Sequence, residues 1–117
     1  MNGELHSRVT FRLYTDAKCF GPGVALLLEK VEEQHSLRAA AASVNMAYSK
    51  AWSIIKNCEN SLGFKLLETT TGGKNGGGAT LTPNARKLMQ CYNEITSELR
   101  ITSEKLFNEK MSWLKGS

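Results

Sequence analysis

Residues Ser36–Ser61 read SLRAAAASVNMAYSKAWSIIKNCENS. Two helical periods lie in this stretch, with one short break between them. Leu37, Ala40, Ala41 and Val44 recur at i, i+3, i+4 and i+7, which marks one helix face, and Ser36 is a good N-cap for it. The small side chains of Ala39–Ala42 let another backbone approach closely. The period stops at Val44-Asn45-Met46, where asparagine tolerates the left-handed backbone that a tight connection needs. It restarts near Ala47 and runs to about Ser61. At 100° per residue, Ala51, Ile55, Cys58 and Leu62 fall within roughly 40° of one another. Ser49, Ser53, Lys56 and Asn60 fall opposite them, flanked by Lys50 and Asn57, with Trp52 at the border. One side is apolar; the other carries hydroxyls, amides and amines and no acid. A short helix, a tight turn and a helix of this kind make a helix-turn-helix.

The flanking sequence extends that unit. Leu62-Gly63 closes the helix, Phe64–Thr70 is a strand candidate, and Thr71–Gly78 is too rich in glycine for a regular element. Ala79–Thr82 is the returning strand, so the pair forms a hairpin wing. Thr82-Pro83 then opens a long last helix with a cap and an N1 proline. Upstream, Val9, Phe11 and Leu13 alternate with Arg8, Thr10 and Arg12, which predicts a strand over Arg8–Thr15. Phe20–Gly23 reads as a turn, and Val24, Leu27, Leu28 and Val31 predict a first helix ending near Gln34. The fold class expected is mainly α with a small β-hairpin, a winged helix-turn-helix with a long C-terminal helix. Residues 1–83 would form the strand and winged unit, and residues 84–117 a dimerisation helix continuous with it.

That last helix carries a heptad seam: Ala85, Leu88, Tyr92, Ile95, Leu99, Thr102, Leu106 and Trp113 follow alternating steps of three and four, broken at Glu109. Thirty helical residues span about 45 Å, more than the diameter of so small a domain. Part of the seam must find a partner outside its own core, and a homodimer through Leu88, Tyr92, Ile95, Leu99 and Leu106 supplies one.

Composition narrows the function. The chain has 117 residues, enough for one domain with a real core. Fifteen Lys and Arg against eleven Asp and Glu give +4, distributed as −1 over residues 1–35, +3 over 36–80 and +2 over 81–117. A polyanion would therefore bind the middle third. The longest apolar run is five residues, Val24–Leu28, and the first residues lack the pattern of a secretory signal, so no membrane association is expected. Cys19, Cys58 and Cys91 are widely spaced and odd in number, which fits reduced thiols in a cytoplasm. Cys58 and Cys91 read as small buried hydrophobes and Cys19 as a loop residue. His6 and His35 pair with no cysteine at ligand spacing, so no metal or other cofactor is expected. The glycine run is not a P-loop: Glu68 stands where the first glycine belongs, and Asn75 where Ser or Thr must follow Lys74. Nothing here predicts an enzyme.

A helix apolar on one side and rich in donors on the other suits a DNA major groove. The expected contacts to double-stranded DNA are Ser49, Lys50, Ser53, Lys56 and Asn57 on the reading helix, with Tyr48 at its start. Arg38 would touch the backbone from the helix before it, and Gly73, Lys74 and Asn75 would do so from the wing. Trp52 is expected to fill the gap between helix and wing. The alternative is a winged-helix protein–protein adaptor that binds no DNA, for which an apolar or acidic outer face would be the mark.

The stretches Ser36–Ala41, Met46–Trp52, Leu67–Thr69 and Thr71–Pro83 together resemble the DNA-binding domain of the ModE-type molybdate-responsive regulators and, more broadly, LysR-type regulators, over about residues 20–95. The resemblance implies a winged-helix dimer on a two-fold operator, with Ser36–Val44 as positioning helix, Ala47–Asn60 as reading helix and Gly72–Gly78 as wing. Asn75 departs from the pattern, since relatives usually continue with glycine there. The oxyanion-binding domain pair of the full-length regulators has no counterpart in these residues, so molybdate sensing is not implied. The chain looks more like single-domain relatives that begin with an extra strand, an arrangement that leaves room for a separate effector-sensing subunit.

Overall fold

The computed structural model describes residues 3–70 and 77–115. Along the chain come β1 (Leu13–Tyr14), β2 (Lys18–Phe20), α1 (Pro22–Gln34), α2 (Leu37–Ser43), α3 (Tyr48–Leu62), β3 (Leu67–Thr69), β4 (Ala79–Leu81) and α4 (Pro83–Met111), closed by a short 3-10 turn, Ser112–Lys115.

The corner between α2 and α3 forms as its sequence requires. Asn45 takes φ 57°, and the amides of Val44 and Asn45 donate to the carbonyls of Ala41 and Ala42. The Ser36 hydroxyl accepts from the Ala39 amide at the start of α2. Ala40, Ala41 and Ala51 are buried where the two helices cross, and their size permits the close approach. α1 lies over them, contributing Leu27, Leu28 and Val31, all fully buried. Phe20, Ile55, Cys58 and Leu66 complete the centre of the core. Removing each large apolar side chain from water is worth about 1.5–3 kcal/mol.

The wing strands pair antiparallel, with Leu67 opposite Leu81 and Thr69 opposite Ala79. Leu67, Ala79 and Leu81 face the core while Glu68 and Thr80 face out, the alternation of a half-buried hairpin. Both legs are tied to the helices. The Ala79 amide donates to the carbonyl of His35, the left-handed residue (φ 57°) that joins α1 to α2. On the other leg the Leu66 amide donates to the Glu59 carboxylate of α3 at 2.8 Å. Gly78 stands where the hairpin meets the α1–α2 corner; a Cβ there would lie 3.2 Å from the His35 carbonyl oxygen. Thr82 caps α4 by accepting from the Ala85 amide, and its hydroxyl also donates to the Lys65 carbonyl. The architecture is a winged helix-turn-helix with a long C-terminal helix.

Three expectations need correction. The predicted strand over Arg8–Thr15 shrinks to Leu13–Tyr14, and its partner β2 occupies the residues just before and within the expected turn. The segment before it runs along α4, where the Ser7 and Ser103 hydroxyls lie 3.2 Å apart and Phe11 packs on Tyr92. A helix surface offers that segment side chains to pack on but no backbone ladder. Cys19 is buried in β2, and Cys91 is exposed on α4. No helix among the described residues is long and apolar enough to cross a membrane, and these residues contain no cluster of three or more His, Cys, Asp or Glu placed to hold a metal.

Candidate nucleic-acid interface

The apolar side of α3 packs through Ala51, Ile55 and Cys58, all 0% exposed. Its other side is thereby turned to solvent. Ser49, Lys50, Ser53, Lys56, Asn57 and Asn60 are all exposed, so the structure turns the expected reading residues to solvent. Lys50 has no acidic partner among the described residues.

Beside that face lies a row of two rings bracketed by two cations. The Arg38 guanidinium sits 4.2 Å from the centre of the Tyr48 ring. Tyr48 meets Trp52 edge to face at 6.3 Å, and the Lys56 ammonium lies 5.2 Å from the Trp52 ring. Such contacts are worth about 0.5–1 kcal/mol each at exposed sites, but they hold long side chains in place ahead of any ligand. Arg38 has no acidic partner among the described residues, so its charge is available. Lys56 is paired with Glu59 at 3.6 Å. Tyr48 and Trp52 are half-buried. With Ser36, Arg38, Thr70 and Gly77 they line a hollow of about 270 Å3 between α3 and the base of the wing. Trp52, expected to fill the gap between helix and wing, instead lines an open hollow there and carries the Lys56 ammonium over its ring.

The expected wing residues Gly73, Lys74 and Asn75 lie outside the described residues. Asn57 is exposed but sits on the flank of α3 away from the row, beside Arg12 and Lys18 of the N-terminal hairpin. Glu59 was missed by sequence reasoning. It is 9% exposed, accepts from the Leu66 amide and holds Lys56. Its spacing three residues after Lys56 is a visible ion-pair signal; the amide across the fold is not.

Along α4 the seam divides. Leu88 packs on the core, and Tyr92 is buried, meeting Phe20 edge to face at 5.0 Å while its hydroxyl donates to the Phe11 carbonyl. Burial raises the Tyr92 hydroxyl above the ordinary tyrosine range, and the Arg12 guanidinium partly opposes this. Ile95, Leu99 and Leu106 are 40%, 37% and 44% exposed.

The model of the bacterial regulatory helix-turn-helix protein, lysR family, matches residues 25–86, more than half of the chain. Among curated proteins, the chain is 36% identical over 69 residues to the molybdenum transport protein ModE of Herbaspirillum seropedicae, covering 59% of this chain and 26% of that protein. It is 37% identical over 67 residues to the transcriptional regulator ModE of Haemophilus influenzae, covering 57% and 26%. Against the DNA-binding transcriptional dual regulator ModE of Escherichia coli K12 it is 30% identical over 90 residues, covering 76% and 34%. The matched region is thus a quarter to a third of the length of these relatives. The helix-turn-helix that organises the interface lies inside the matched residues, and the chain belongs to the lysR family of bacterial regulatory helix-turn-helix proteins.

Proposed function

We propose that this chain is a sequence-specific, duplex-DNA-binding transcriptional regulator acting as a homodimer on a pseudo-palindromic site. One observation carries the reading: α3 presents a face of hydroxyl, amide and amine groups to solvent with no acid on it, flanked by a guanidinium and an ammonium held over aromatic rings. Ser49, Lys50 and Ser53 suit base edges in a groove about 12 Å wide. Arg38, Tyr48 and Lys56 suit the adjoining backbone phosphates, and Gly73, Lys74 and Asn75 the phosphates reached by the wing. Names of relatives that speak of transcriptional regulation support the same reading. The exposed Ile95, Leu99 and Leu106 supply the dimer contact, while Leu88 and Tyr92 brace α4 from inside. Half-sites then fall about one helical turn, 34–36 Å, apart. The outer face of α3 carries no apolar or acidic side chain to favour the adaptor alternative.

Selection of bound duplexes from a random pool tests this. A two-fold consensus is expected. Arg38→Ala should weaken binding to all sequences alike and lower the salt slope by about one, whereas Ser49→Ala or Lys50→Ala should change which sequence is preferred. Equal losses on every duplex from all three variants would contradict the division of roles. Recovery of no duplex in dilute buffer would leave the adaptor reading.

A further inference from the structure

A second hollow, also about 270 Å3, opens on the other flank of α3, against the β1–β2 hairpin. Its walls include Val24, Met46 and Ile54, and its polar groups are Arg12, Lys18 and Asn57. All three apolar residues are half-buried, so each keeps surface to offer. No acidic side chain lines the hollow, and neither Arg12 nor Lys18 has an ion-pair partner among the described residues. The Arg12 stem lies across Gly21, where a Cβ would stand 3.0 Å from the arginine Cγ. Two cations lining one opening, with no acidic side chain beside them in that lining, favour a bound anion. The walls in turn favour a ligand with an apolar body.

We infer that this hollow binds a small organic acid, its carboxylate between Arg12 and Lys18 and its apolar body against Val24, Met46 and Ile54. The volume sits just under the range of about 300–1,000 Å3 usual for small-molecule sites, which sets the ligand near the size of benzoate or phenylbutyrate. Arg12, Lys18 and Val24 precede the family match at residues 25–86, while Met46, Ile54 and Asn57 fall inside it. A duplex phosphate shares the charge but has no apolar body to cover these walls. The inference does not depend on the DNA reading.

The test uses the full chain, the Met46 methyl resonance as reporter, and benzoate, 4-phenylbutyrate, benzyl alcohol and inorganic phosphate as probes. The two carboxylates should shift the resonance saturably, and benzyl alcohol should bind at least roughly tenfold more weakly. The double variant Arg12→Gln, Lys18→Gln should lose at least that factor for benzoate with an unchanged circular dichroism spectrum; both side chains are exposed, so the fold should survive. Ile54→Gln should weaken phenylbutyrate more than phosphate. Three results would overturn the inference. One is no methyl shift with either carboxylate at millimolar concentration. Another is phosphate binding as tightly as benzoate, which marks a bare cationic patch. The third is no carboxylate binding together with a lower salt slope for duplex binding in the double variant, which marks a backbone-phosphate contact. If duplex selection fails while benzoate still saturates, the DNA reading falls and this site stands.

Discussion

Cys58 shows how strongly place governs a single side chain. It is fully buried, and burial, aided by Cys19 and the Glu59 carboxylate, pushes its thiol up to about 12. The core holds the neutral form. That contribution to stability is whole below the ordinary value of 9.0 and is lost as pH rises toward about 12. Stability measured by urea unfolding should therefore fall across that alkaline window, and Cys58→Ala should flatten the fall even though it lowers stability overall. A thiol reagent near neutral pH should modify one cysteine of the native chain, the exposed Cys91, and all three once it is unfolded. Rapid reaction of Cys58 in the native state would contradict its placement. The core position of Cys58 was legible from helical spacing. Those of Cys19 and Cys91 were not, because Cys19 lies in a three-residue strand too short to show a period, and Cys91 adjoins a seam whose neighbours turn outward.

Among the elements, α3 and the first leg of the wing are joined by Glu59. Glu59→Ala leaves the buried Leu66 amide without its acceptor, at an expected cost of about 1–3 kcal/mol. Glu59→Gln keeps an acceptor and should cost less, while both substitutions release Lys56 from its ion pair. Urea unfolding of the two variants separates the roles, and equal losses would show that the charge, not the hydrogen bond, matters. The helix-turn-helix was legible because helical spacing is local: four alanines, a serine cap and an asparagine at the corner act within a few residues of one another. The β1–β2 hairpin was not, since it depends on Phe20 finding Tyr92 across the fold. The exposed polar face of α3 could be named from the sequence, but the Arg38–Tyr48 contact joins two helices and needed coordinates.

At the scale of the whole molecule, the chain measures 62 × 34 × 22 Å, and the long axis exceeds what one small core can cover. If the outer part of α4 pairs with a second copy, Ile95→Asp with Leu99→Asp should give a monomer in sedimentation while leaving thermal unfolding of the winged unit nearly unchanged, because both residues are exposed in the single chain. A parent chain that is itself monomeric at high micromolar concentration would remove the dimer. The seam was legible as a heptad; its division was not, because Tyr92 is claimed by Phe11 and Phe20, far away in sequence. The pinning of the hairpin has a mechanical corollary. With the Ala79 amide tied to His35 and the Leu66 amide to Glu59, the spacing between hairpin base and helix face behaves like a caliper locked at one setting. On the proposed reading, any misfit at a bound double helix is then absorbed by curvature of the nucleic acid, so supple steps beyond the touched bases would strengthen binding and stiff tracts weaken it.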